Sequence, residues 1–182
     1  MPELISAVVE LLLLSLPTIA YLVVRRKRTD GGRAAMGLTW GSRSDYLVAA
    51  GIAVVLIGLG LGVTRLLPAD VLAVAGSTNR ITGVLAGVAV ALRSAGEEVL
   101  FRGFLQGVVR NRFGRTAGIW VQAVLFLLLH LPLLAVSPLL WPILAVQLLT
   151  GLALGWLRAR HDSIAPAIGV HVVANVVAGL VV

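Results

Sequence analysis

Long apolar runs, each about as long as a membrane-spanning helix, make up most of this chain. Of its 182 residues, 59% are hydrophobic and only 13% are charged, whereas charged residues make up about a quarter of an ordinary soluble domain. A helix needs about 20 apolar residues to cross a hydrocarbon core roughly 30 Å thick. We therefore predict an all-α fold, a polytopic transmembrane helical bundle.

The apolar runs predict about six spans, which we place as follows. They cover approximately Leu4–Val24, Tyr46–Leu67, Ile81–Val109, Thr116–Leu131, Leu139–Leu157 and Ser163–Val182. No basic residue precedes the first run, so we interpret it as an anchor rather than as a cleaved signal peptide. We divide the chain into residues 1–80, with two N-terminal spans and a basic loop, and residues 81–182, which contain the polar motifs described below.

The positive charge of the chain lies next to the predicted spans. With the N-terminus outside, the loops 25–45, 110–115 and 158–162 face the cytoplasm and carry eleven Lys and Arg residues, against two outside. This distribution follows the positive-inside rule. Basic clusters beside spans attract anionic lipid headgroups, so the net charge of +7 does not indicate nucleic-acid binding. Arginine outnumbers lysine strongly, which is typical of GC-rich genomes and favours a prokaryotic plasma membrane.

Three short motifs place ionisable or strongly polar side chains inside these apolar runs. They are Glu97-Glu98-x-x-x-Arg102, Phe126-x-x-x-His130 and His171-x-x-x-Asn175. Helical residues four apart share one face, and ionisable groups inside a membrane usually face the bundle interior and mark function. At 1.5 Å per residue, the motifs lie about 20 Å from the predicted cytoplasmic ends, with His171 about one turn shallower. We therefore expect three helices to bring these groups to one layer.

The two adjacent glutamates are predicted to have different roles. Glu98 and Arg102 are four residues apart with the acid first, the better order for an ion pair. Glu97 points about 100° away on the helix and is the freer carboxylate, suited to act as a general base. Two alternatives remain open: Arg93 lies four residues before Glu97 and is within reach of it, and the whole motif is also compatible with an ion-pair staple that holds the bundle together.

Several other hydrolytic sites are excluded by the residues present. The chain contains no cysteine, which excludes a thiol nucleophile and a cysteine-ligated metal. It has no His-Glu-x-x-His motif, the signature of a common helical zinc site. Its only lysine is Lys27, in a predicted loop, so a Ser-Lys dyad is not expected.

In its three motifs the sequence resembles the CAAX-protease and bacteriocin-processing family of intramembrane endopeptidases. The resemblance covers about residues 81–182. It implies hydrolysis of a membrane-associated peptide, which is prenylated in the eukaryotic members. It also implies site roles: Glu97 and His130 activate water, His171 and Asn175 stabilise the oxyanion, and Glu98 with Arg102 supports the site.

The resemblance does not decide whether the protein uses a metal, or whether it is catalytic at all. Family members are widely described as metalloproteases, and Glu97, His130 and His171 are a sufficient ligand set for zinc. We favour a metal-free mechanism, because Phe126 supplies no second ligand on the helix of His130. The alternative function is a non-catalytic membrane scaffold or bacteriocin-immunity factor that binds a peptide partner. A third possibility is a proton-coupled transporter with a Glu/His relay.

Overall fold

The computed structural model describes residues 1–26, 32–76 and 80–181, and every regular element in these ranges is helical, which confirms the all-α prediction. The α-helices are α1 (Pro2–Arg25), α2 (Arg43–Thr64), α3 (Ala69–Gly76), α4 (Val84–Glu98), α5 (Gln106–Phe113), α6 (Arg115–His130), α7 (Leu133–Val136), α8 (Trp141–His161) and α9 (Ala165–Val181). A π-helical segment, Val99–Leu105, joins α4 to α5, and a 3-10 turn, Pro138–Leu140, precedes α8.

Four helical runs in the described part of the chain are long and apolar enough to cross a membrane. They are Pro2–Arg25, Arg43–Thr64, Arg115–Val136 and Pro138–His161. The predicted third span is helical, but it carries charged residues at 93, 97, 98 and 102. The predicted sixth span corresponds to α9, which has 17 residues, fewer than the roughly 20 that a span needs. The predicted count of about six spans is therefore not confirmed.

Apolar side chains cover the outside of the bundle, and its interior contains charged side chains as well as an apolar core. Leu12 and Val54 are 57% and 72% exposed, whereas Glu98, Arg102 and Arg158 are completely buried. Charged residues are almost never fully buried in soluble proteins unless they are paired. An apolar outer surface around an ionisable interior is what lipid as the solvent favours.

The glutamate-bearing helix α4 packs between α1 on one side and α9 on the other. The approach of α1 is close, since a Cβ added to Gly96 would lie 3.1 Å from the Cα of Leu11. A polar clasp fixes the same pair of helices: Arg93 donates from Nε to Glu10 Oε2 at 3.1 Å and from Nη2 to Ser6 Oγ at 3.1 Å. The Arg93 guanidinium is thus directed to α1 rather than to the neighbouring motif.

Replacing Gly96 with valine is expected to destabilise the bundle and reduce any activity that depends on α4. The new side chain meets the Cα of Leu11, a backbone atom that cannot rotate away, and overpacking typically costs about 1–3 kcal/mol. Gly58→Val in α2 is a matched control, because nothing lies within 4 Å of a Cβ placed there. Thermal unfolding in detergent measures the effect. Equal unfolding temperatures for the two variants would show that the α1–α4 contact is not tight.

The segments that connect α1 to α2, α5 to α6 and α8 to α9 meet at one end of the molecule, which we call the basic end. Residues 32–41, between α1 and α2, pack onto it, with Met36 completely buried. Arg158 Nη2 donates to the carbonyl of Ala35 at 2.6 Å, and Arg110 and Arg158 both bind Asp162 at the turn between α8 and α9. Lys27 and Arg28, which belong to the predicted cytoplasmic loop 25–45, lie outside the described residues.

Candidate active site

A cavity of about 700 Å³ lies between α2, α4, α6, α8 and α9. Most of its wall is apolar. Four of the six predicted site residues line it, and they come from three helices: Glu97, His130, His171 and Asn175. The three sequence motifs therefore reach a common space.

The other two predicted residues form a buried ion pair behind the cavity wall. Arg102 Nη1 donates to Glu98 Oε1 at 2.7 Å, and neither side chain is exposed. The same oxygen accepts from Nδ1 of His171, also at 2.7 Å. The Arg102 guanidinium lies over the ring of Phe126, 4.5 Å from its centroid. The predicted Glu98–Arg102 pair is confirmed, and Glu98 additionally holds His171.

The segment that carries Arg102 is π-helical from Val99 to Leu105. Such segments are rare and frequently occur at functional sites. A π turn frees backbone carbonyls and changes the rotation of the helix that follows it. Here the carbonyl of Val99 accepts from Thr18 Oγ1 of α1 at 3.2 Å, and Gln106 beyond the turn donates to the carbonyl of Gly155 at 2.7 Å. The sequence pattern contained no signal for this irregularity.

Both histidines are held through the same ring nitrogen. Nδ1 of His171 bonds to the Glu98 carboxylate, and Nδ1 of His130 bonds to the carbonyl of Phe126 at 2.8 Å. A carbonyl and an ionised carboxylate only accept hydrogen bonds, so the network assigns a proton to Nδ1 in each ring. Phe126 also packs against both rings, with centroid distances of 4.7 Å and 5.8 Å. Nε2 is therefore the ring nitrogen left for chemistry in the cavity.

Of the two adjacent glutamates, Glu97 is the accessible one, with 31% of its side chain exposed. Its Oε2 lies 3.8 Å from Nε2 of His171. The resemblance assigned His130 as the partner of Glu97. In the described part of the chain, the histidine within ion-pairing distance of Glu97 is instead His171, while His130 lines the same cavity.

Asn175 is positioned by a residue that the sequence motifs did not identify. Its Nδ2 donates to Ser94 Oγ at 3.0 Å, and Ser94 in turn donates to the carbonyl of Val90 at 2.9 Å. Ser94 lies three residues before Glu97 on α4, so α4 orients the asparagine of α9. A small polar residue one turn before the glutamates is the only sequence signal for this contact, and it is a weak one.

Within residues 1–26, 32–76 and 80–181, no three side chains of the metal-ligating types are arranged so that they could hold a metal ion. As placed, Glu97, His130 and His171 do not form such a set. The favoured metal-free mechanism and the zinc alternative both stay predictions for the chelator experiment described below.

A comparison with protein families finds one described as type II CAAX prenyl endopeptidase Rce1-like, whose model matches residues 79–177. The matched region includes every residue of the three motifs. No curated protein and no solved structure matches the chain. The four apolar helices and the family match together indicate an integral membrane protein. Because the match covers more than half of the 182 residues, this chain belongs to the type II CAAX prenyl endopeptidase Rce1-like family.

Proposed function

We propose that this protein is an intramembrane endopeptidase that hydrolyses a peptide bond of a membrane-associated substrate with a water activated by Glu97. The supporting observation is that Glu97, His130, His171 and Asn175 line one cavity with a mostly apolar wall. Such a wall fits an apolar peptide segment, and it also fits the prenyl group that the family description implies. Within it, a few convergent polar groups provide the chemistry.

Water activation is assigned to Glu97 on the basis of accessibility. Glu98 is fully buried and already accepts hydrogen bonds from Arg102 and His171, so its carboxylate is not available to a water molecule. Glu97 lines the cavity, and its contact with His171, at 3.8 Å, is longer than a hydrogen bond. As general base it takes a proton from water, and the resulting hydroxide attacks the carbonyl carbon of the scissile bond. His130 lines the same cavity, and we assign to its Nε2 the second hydrogen bond that this water donates.

Stabilisation of the tetrahedral oxyanion is assigned to α9. One N–H of the Asn175 amide is bound to Ser94, which leaves the second free for an oxyanion in the cavity. Nε2 of His171 lies 3.8 Å from Glu97 Oε2, beyond hydrogen-bond distance, so the two groups must move closer together in the substrate complex before His171 receives the proton that Glu97 has taken. His171 then donates to the oxyanion and returns the proton to the leaving nitrogen as the C–N bond breaks. Donors fixed in this way lower the barrier by a few kcal/mol each.

Purified protein in detergent is expected to cleave members of a panel of quenched fluorescent peptides, offered with and without a prenyl group. Cleavage that persists in the presence of a chelator supports the glutamate mechanism. Cleavage that the chelator removes and zinc restores supports a metal-dependent one. If folded protein cleaves no peptide of either kind, the proposal is contradicted and the non-catalytic scaffold is favoured.

A further inference from the structure

The cavity continues from the level of Glu97 and His171 along α2 as far as Arg65, the residue that follows this helix. Helices α2 and α9 run in the same direction, since the turns before both of them meet at the basic end. Leu56 of α2 packs in one buried cluster with Val170, the neighbour of His171. Arg65 follows Leu56 by nine residues, which places it about 13 Å farther from the basic end at 1.5 Å per residue.

The guanidinium of Arg65 is available to a ligand. Arg65 is the one arginine or lysine among the described residues that line the cavity. It is exposed, and it pairs with no carboxylate in the part of the chain that the structure describes. Arg80 at the same end is exposed too, but it does not line the cavity. An unpaired guanidinium in a mostly apolar wall suits an anionic group, which it can bind through two parallel hydrogen bonds.

A second polar side chain, that of Gln147 on α8, lies between the two levels. Leu154 of α8 packs in the cluster of Leu56 and Val170, and α8 ends at the basic end. Gln147 precedes Leu154 by seven residues and therefore lies about 10 Å toward the level of Arg65. It lines the cavity and is half-buried, and its amide makes no hydrogen bond to another described residue. An amide both donates and accepts, so it suits the backbone of an extended peptide.

The substrate class that the family description names carries a matching charge. A CAAX box is the C-terminal end of a protein, with the prenyl group on its cysteine, so the three residues after the cysteine end in a free carboxylate. An extended tripeptide spans about 10 Å, and the flexible side chain of Arg65 covers the remaining distance. A carboxylate in an apolar cavity needs a partner. Glu97 repels it and Arg65 attracts it, which directs the end of the substrate toward Arg65.

We propose that Arg65 binds the C-terminal carboxylate of the substrate and that Gln147 hydrogen-bonds the backbone of the last three residues. Together the two side chains fix the distance between the end of the substrate and the bond that Glu97 acts on. Arg65 precedes residues 79–177, which the family model matches, so it is a feature of this chain beyond the family match. The position of the cleaved bond rests on the proposed function, whereas carboxylate binding does not depend on cleavage.

Carboxylate binding is tested on the Glu97→Gln protein in detergent, so that the ligand is not consumed. Fluorescence anisotropy gives the Kd of two labelled prenylated peptides that differ only in a C-terminal carboxylate or carboxamide. The carboxylate peptide is expected to bind at least about tenfold more tightly, the effect of one charge-assisted hydrogen bond. Adding Arg65→Gln should remove this difference, and the matched control Arg80→Gln should preserve it. Adding Gln147→Leu should weaken the binding of both peptides alike.

Three results of the binding experiment would overturn the proposal. They are equal binding of the two peptides, binding of neither, and a preference for the carboxylate that persists after Arg65→Gln. Arg65→Lys keeps the charge and is expected to retain part of the preference, which a purely structural role of Arg65 does not predict.

Cleavage by the protein with Glu97 intact tests the register. The carboxamide peptide, and a peptide lengthened by two residues at its C-terminus, are each expected to show a kcat/KM about tenfold lower than the carboxylate peptide, because neither places a carboxylate at Arg65. Equal cleavage of all three peptides would overturn the inference and leave the peptidase function standing. If the carboxylate peptide binds preferentially but no peptide is cleaved, the peptidase function fails and the assignment of Arg65 stands.

Discussion

Replacing Glu97 with glutamine is expected to reduce peptide cleavage by about 100-fold to 10,000-fold, the range that general acid–base groups contribute. Glutamine keeps the shape of the side chain but cannot take a proton from water. Stability should change little, because Glu97 is 31% exposed and is not part of the buried Glu98–Arg102 pair. The measurements are kcat/KM on a cleaved peptide and the unfolding temperature in detergent.

Glu10→Gln is the matched control for this variant. Glu10 is a second partly exposed glutamate within the predicted spans, with 46% of its side chain accessible, and it pairs with Arg93 outside the cavity. Its replacement is expected to leave the cleavage rate close to that of the wild type. A Glu97→Gln protein that is folded and cleaves at the wild-type rate would exclude Glu97 as the base.

Replacing Arg102 with methionine is expected to have the largest effect on stability, about 3–5 kcal/mol, the cost of leaving a buried charge unpaired. Arg102 is the guanidinium that compensates Glu98, and both are completely buried. Changing Glu98 to methionine in the same protein removes the orphaned charge, and replacing a whole buried pair by apolar residues is often neutral or stabilising. The double variant is therefore expected to be more stable than the single one.

In the double variant, the cleavage rate is not expected to recover together with the stability. The double variant lacks the carboxylate that holds Nδ1 of His171 at 2.7 Å, so the ring loses its orientation and cleavage stays low even where the fold is restored. Unfolding temperature and kcat, measured on wild type, Arg102→Met and the double variant, separate the two effects. A double variant less stable than Arg102→Met would show that the pair contributes net stability. Full activity in the double variant would show that Glu98 does not position His171.

Much of the helical pattern was predictable from the sequence, because an apolar run of membrane length can satisfy its backbone only within itself. Predicted and observed helices agree closely for α1, α2, α6 and α8. The short helix α3, in a predicted outer loop, was missed. The span count is not confirmed where hydropathy is a poor guide: α4 and the π-helical segment that follows it carry the charges of the site, and α9 is short.

The meeting of the three motifs was also predictable, because spacing along a helix fixes both a face and a depth. The Glu98–Arg102 pair follows from spacing alone, since both residues lie on one helix. Contacts between helices did not follow from it. They include His171 with Glu98, Asn175 with Ser94, and Arg93 with Glu10.

By itself, then, the sequence determined that this chain forms apolar helices with acid, base and amide groups at a common depth, and that its arginines gather at one end. Only the tertiary structure decided which of those groups meet. The physical reason is that helical periodicity relates residues within one helix but leaves open how that helix is rotated about its own axis against its neighbours. Here that rotation is set by packing and by an irregular turn: the contact of Gly96 with Leu11 and the π-helical segment Val99–Leu105.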